Sequence, residues 1–158
     1  YYRTEERISK LLQFLNEQKN KVAKGTCPEG WIGDWDKSVN SVRLMGQEND
    51  GVIIGLEGPR AICSFEGIQC SNTVLVPLED GDRCEALVAL GKEVLVIDLN
   101  PLSRTARKAS VTIVDEVSRA ANLILNEIII KDYEIKEWDN DSTLRDALEI
   151  ISKSMNKI

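Results

Sequence analysis

Three short, uninterrupted apolar runs, Val74–Pro77, Val94–Ile97 and Val111–Val114, constrain this chain more than any other feature. A strand that alternates apolar and polar residues buries one face, whereas a continuous run suits a strand covered on both faces, as in a parallel sheet. Between the first two runs, Arg83–Leu90 carries Ala86, Leu87 and Leu90 at helical spacing and stops at Gly91, which suits the left-handed turn after a helix. The second run ends in Asp98 and the third in Asp115. Beyond Asp115, the expected cap, Val117, Ala120, Ala121, Ile124 and Leu125 share one helical face. A last helix is expected from about Thr143 to Met155, capped by Asp141 or Ser142. This alternation predicts an α/β fold, a Rossmann-like and largely parallel sheet flanked by helices and joined by right-handed crossovers.

The first half is less periodic. Thr4 is an expected helix cap, followed by Ile8, Leu11, Leu12 and Leu15 on one face of a helix over about 5–19. Residues 20 to 50 are polar and irregular, with Trp31 and Trp35 placed either to anchor a loop on the core or to stack on a planar ligand. Asn49-Asp50-Gly51 signals a turn before a short strand expected at Val52–Leu56. The 158 residues are one domain's worth of material. A single α/β domain over 1–158 is therefore expected.

Charge and composition remove several classes of chemistry. The net charge of −6 offers no broad basic face, so nucleic acid is not an expected partner. The apolar runs fall far short of a membrane-spanning length and no leader is read at the start, so a soluble, intracellular protein is expected. The sequence contains no histidine, which excludes a Ser-His-Asp or Cys-His centre and any His-ligated metal within this chain. Cys27, Cys63, Cys70 and Cys84 form no C-x-x-C pair and read as buried or half-buried thiols.

In open parallel sheets ligands bind beyond the carboxyl ends of the strands, which points to two segments. The first, Leu78-Glu79-Asp80-Gly81-Asp82-Arg83, opens a helix. Its carboxylates could hold ribose hydroxyls or magnesium, or the segment could be only a cap in which Asp82 accepts from the first backbone amides. The second runs from Asp98 to Lys108. Asp98 and Asn100 stand at a strand tip, and Arg104, Arg107 and Lys108, with Ser103 and Thr105, form a compact basic group in an acidic protein. Phosphate recognition and a solvated loop are its two readings. Neither glycine-rich phosphate signature is present, so a nucleotide here would need a different cradle.

The runs Val74–Arg83, Glu85–Ala89 with Gly91-Lys92, Ile97–Arg107 and Val111–Asp115 together resemble the archaeal 4-phosphopantoate–β-alanine ligase family, also called phosphopantothenate synthetase. Tyr2–Arg7 and Glu66-Gly67-Ile68 share the resemblance, which extends over the whole chain and is weakest between residues 20 and 60. It implies a cytoplasmic, homodimeric enzyme of coenzyme A biosynthesis that joins 4-phosphopantoate to β-alanine with ATP and magnesium. It also implies nucleotide-site roles for Asp80, Gly81, Asp82, Arg83, Asp98, Leu99 and Asn100, phosphate or substrate roles for Ser103, Arg104 and Arg107, and catalytic roles for Asn100 and Arg104. The match corresponds to about the C-terminal three-fifths of such an enzyme, without the family's N-terminal region, and the segment with Cys27, Trp31 and Trp35 has no clear counterpart. The alternative to a ligase is a non-catalytic α/β module that binds a nucleotide or phosphorylated metabolite. A purely structural dimerisation domain would leave the basic group at the strand end without a purpose.

Overall fold

The structure, a computed structural model, describes residues 22–23, 44–45, 48–77, 80–130 and 137–155. The helix expected over 5–19, Cys27, Trp31 and Trp35, and Leu78 and Glu79 lie outside the described residues. In chain order the described strands are β1 (Val22–Ala23), β2 (Leu44–Met45), β3 (Gly51–Val52), β4 (Ile62–Cys63), β5 (Thr73–Val76), β6 (Glu93–Ile97) and β7 (Val111–Ile113). The described α-helices are α1 (Gly81–Ala89), α2 (Arg104–Lys108), α3 (Val117–Ile130) and α4 (Asn140–Met155). No helix among the described residues is long and apolar enough to cross a membrane. The chain divides into two compact units, residues 1–71 with 118–132, and residues 72–117 with 133–158.

In the first unit β1 and β2 pair in parallel and β3 and β4 antiparallel. The strand expected at Val52–Leu56 ends at Val52, because the backbone turns at Gly55, which holds a φ of 96°. A π-helical turn, Phe65–Gln69, packs on β3 through side chains that replace missing ladder partners. Asp50 Oδ1 accepts from the Phe65 N–H at 2.8 Å, and Gln69 Oε1 accepts from the Val52 N–H at 2.7 Å. A Cβ at Gly51 would stand 2.7 Å from the Phe65 nitrogen, so this approach requires glycine. Ile53, Ala61, Cys63 and Ile68 are buried here.

The second unit carries the predicted α/β arrangement. Its sheet has the order β5-β6-β7 with both pairings parallel, and β6 lies in the middle. Register places Val76, Val96 and Thr112 side by side on one face, and Leu75, Leu95 and Val111 on the other. Val94, Val96 and Thr112 are buried at 0–1% exposure, whereas Leu75, Leu95 and Val111 are only half-buried. The apolar runs thus mark the parallel strands correctly, but β6 alone approaches burial on both faces.

Each crossover helix has a legible start. Asp80 caps α1 and Ser103 caps α2, each accepting from the backbone N–H three residues on. After α1, Gly91 takes a φ of 77° while its N–H donates to the Val88 carbonyl and the Lys92 N–H to the Leu87 carbonyl. Cys84 and Leu87 are buried on α1, which packs on α2 and β6. Helix α4 packs on α2 and β7 and begins at Asn140, three residues ahead of expectation. Asp139 caps it, accepting from the Ser142 N–H at 3.1 Å, so the carboxylate outside the helix does the work foreseen for Asp141 or Ser142.

Candidate functional site

The two candidate segments meet at the carboxyl edge of the parallel sheet. At the start of α1, Asp80 Oδ1 accepts from the Arg83 N–H at 3.2 Å, and the Arg83 Nε lies 3.8 Å from the other Asp80 oxygen. Because Asp80 supplies the cap, Asp82 does not act as the cap and instead pairs with Arg104 Nη1 from the opposite loop. A Cβ on Gly81 would stand 2.9 Å from Arg104 Cγ, so the aliphatic stem of Arg104 lies across the first turn of α1. Glycine at this position permits the approach.

The loop from β6 to α2 is organised by its own polar side chains. Asp98 Oδ1 accepts from the Asn100 N–H at 2.9 Å, and Asn100 Oδ1 from the Leu102 N–H at 3.0 Å, two consecutive Asx turns. Asp98 Oδ2 accepts from the Ser103 hydroxyl at 2.5 Å, and that hydroxyl accepts from the Ala106 N–H at 2.9 Å. The single proton of Ser103 is therefore committed to Asp98, which makes this buried residue a link within the loop rather than a free donor. Asn100 is exposed, and its side-chain NH2 carries no hydrogen bond among the described residues. Leu99 and Leu102 stand exposed on either side of it.

Across the two helices runs an ion-pair network. Arg104 Nη2 lies 2.7 Å from Glu85 Oε2, and Lys108 Nζ lies 2.9 Å from Glu85 Oε1. Hydrogen bonds from Lys108 and then Arg104 hold the Glu85 carboxyl down at about 2, and the Glu85 bond, with Asp82, holds the Arg104 guanidinium above its ordinary range. These groups stand in solvent, so the network contributes little to stability and more to orientation. Beneath it burial, then Asp80 and Glu85, push the Cys84 thiol up to about 11, which leaves it protonated and packed against the Thr105 carbonyl at 3.6 Å. Arg107, exposed on α2, pairs with no carboxylate among the described residues.

Three features of this edge were not foreseen from sequence. Glu85 ties the two segments together; its place one turn beyond Asp82 is the only local signal for it. Glu116, beside the Asp115 that the third apolar run already places there, extends the edge at the end of β7, which is joined to the tip of β6 by the Asp98 N–H donating to the Ile113 carbonyl at 3.1 Å. Asn140 reaches α2 from the start of α4. Among the described residues, no group of three or more His, Cys, Asp or Glu side chains could hold a metal ion.

The profile of the family described as phosphopantothenate/pantothenate synthetase matches residues 1–154. Among curated proteins, the 4-phosphopantoate–β-alanine ligases of Methanospirillum hungatei and Thermococcus onnurineus are 36% and 38% identical to this chain over 98% and 100% of its length. That of Methanosarcina mazei is 39% identical over 75% of this chain and 50% of its own length. The chain spans 56% of the length of the first two relatives. Matched along nearly all its residues, and carrying the parallel sheet with its two polar loops, this chain belongs to the phosphopantothenate/pantothenate synthetase family.

Proposed function

We propose that this chain supplies the nucleotide-binding part of an ATP-dependent ligase that joins 4-phosphopantoate to β-alanine, releasing AMP and pyrophosphate. The observation that carries this reading is the contact of Arg104 with Gly81 and Asp82, which gathers two distant polar segments into one edge beyond β5 and β6. Parallel sheets bind nucleotides in that position. The chemistry requires it too. A carboxylate oxygen of phosphopantoate attacks the α-phosphorus of ATP and pyrophosphate leaves; the β-alanine nitrogen then attacks the acyl carbon, loses a proton and expels AMP. Anionic groups must be brought together in both steps, which calls for fixed cations and oriented donors.

In this reading Asp98, with Leu99 beside it, takes nucleotide hydroxyls or base, and the free NH2 of Asn100 points to phosphate or the activated carboxyl. Arg104 neutralises charge at the reacting group, and Arg107 serves a phosphate. Asp80, Asp82 and Arg83 shape the start of α1 against the nucleotide, while Ser103 acts by holding Asp98. Magnesium would enter with the triphosphate, most of its ligands being phosphate oxygens and water. Asp82, paired with an exposed guanidinium, fits a remaining position better than the more enclosed Asp98, whose two oxygens hold the turn of the 98–103 loop. A cytoplasmic homodimer belongs to the same reading, and the exposed Leu123, Ile129 and Ile130 of α3 support a partner surface.

The test is AMP release from ATP and magnesium with 4-phosphopantoate and β-alanine, each omitted in turn. AMP that requires both partners is expected. ATP binding without AMP release in any mixture leaves a non-catalytic nucleotide-binding module, and no binding of ATP removes the reading.

A further inference from the structure

Helix α2 carries Arg104 and Arg107 yet has only five residues, too few for a helix to hold itself. The Ala106 carbonyl has no partner within the helix, since the Ser110 N–H that would reach it donates to Val94 instead. Ala106 is fully buried, so water cannot serve this carbonyl. Two side chains from elsewhere do. Thr112 Oγ1 on β7 and Asn140 Nδ2 at the first position of α4 each donate to it at 2.9 Å. The orientation of the Asn140 amide follows from chemistry, because the reversed amide would set two acceptors against each other. Its Oδ1 is left buried without a hydrogen bond, a cost that gains nothing for α4, whose start is already capped by Asp139.

The same residue joins that carbonyl, through its backbone, to a second set of bonds. The Ala106 N–H donates to Ser103 Oγ, the Ser103 hydroxyl to Asp98 Oδ2, and Asp98 Oδ1 accepts from the Asn100 N–H. We infer that Asn140 is a positioning residue: through the Ala106 carbonyl it fixes α2 and the 98–103 loop, and so the placement of Asp98, Asn100 and Arg104. The role in binding rests on the nucleotide reading above; the hold on α2 does not.

The experiment combines amide hydrogen exchange with titration of magnesium-ATP on the full chain, for wild type, Asn140→Ala and Thr112→Val. In Asn140→Ala the Ala106, Arg107 and Ala109 amides exchange on the order of tenfold faster while those of Val96 and Ile97 are unchanged, and ATP affinity falls on the order of tenfold. Thr112→Val, which keeps the shape of a buried side chain and removes the other donor, gives the same pattern and serves if Asn140→Ala does not fold. Uniform acceleration across the sheet and α2, or unchanged exchange in α2, overturns the inference. So does a loosened α2 with undiminished ATP affinity. Failure of the wild-type chain to bind ATP removes the nucleotide reading, and the exchange pattern then decides the hold of Asn140 on α2 alone.

Discussion

The two crossovers of the parallel sheet solve the same problem by different means. Helix α1 spans nine residues, carries its own cap in Asp80, buries Cys84 and Leu87, and ends in a left-handed glycine. Helix α2 spans five, and its order comes from Ser103, Thr112 and Asn140 filling donors and acceptors that a longer helix would satisfy internally. The candidate binding groups divide accordingly. Those on α1 rest on a locally stable element, whereas Arg104 and Arg107 rest on one that exists only while its surroundings hold it. An element of that kind is a precise platform when packed and the first to open when a contact is lost.

The sharpest way to break this contrast is to overpack the dependent helix. Ala106→Leu inserts a branched side chain where exposure is 0% and should cost about 3 kcal/mol in urea unfolding, whereas Ala89→Leu on the exposed side of α1 should leave stability almost unchanged. Equal effects would mean that the two helices are supported alike. Removing each cap comes next. Ser103→Ala should lower stability by about 2 kcal/mol and Asp80→Ala by about 1 kcal/mol, because the buried Ser103 hydroxyl also serves Asp98. A larger loss from Asp80→Ala would reverse the assignment of which crossover is self-sufficient.

A third variant acts where the crossovers touch. Gly81→Ala places a methyl group against the Arg104 stem, which can move, so the fold should persist while Arg104 is displaced. On the nucleotide reading, calorimetric affinity for magnesium-ATP should fall on the order of tenfold with little change in melting temperature. The smallest effect concerns Glu85. Its folded carboxyl is held at about 2, below the ordinary 4.5, so its contribution is fully present above about 4.5 and is lost as pH falls toward 2. Glu85→Gln should flatten that part of the stability profile and leave the region near pH 7 almost unaltered, as should high salt in the wild type. A wild-type profile already flat between those values would show that the network does not form in solution.

How much was legible in the sequence varies with the range of the interaction. The strands β5, β6 and β7 followed from apolar runs, and the end of α1 from Gly91, because each signal lies within a few residues of what it specifies. The start of α4 lies three residues before the one its periodicity predicts, since Asp139, Asp141 and Ser142 are all competent caps and only packing selects among them. At the candidate site the sequence shows which polar residues stand at the strand tips, but not which partners they meet. The sequence leaves Asp82 open to a capping role that Asp80 fills, and the phosphate or substrate role that the resemblance implies for Ser103 carries no hint that its hydroxyl donates to Asp98.

The pattern of side chains along the chain was enough to establish an α/β fold, the parallel character of the sheet in its readable half and the two polar segments that follow its strands. Burial periodicity, caps and turn residues act over a turn of helix or a strand length, so they survive in the linear text. Which groups face each other at the sheet edge is a different matter. Arg104 meets Glu85 across 19 residues, and Asn140 meets the Ala106 carbonyl across 34. Such pairs are set by how α1, α2 and α4 pack, and a hydrogen bond gained over that separation leaves no periodic trace in the sequence that makes it.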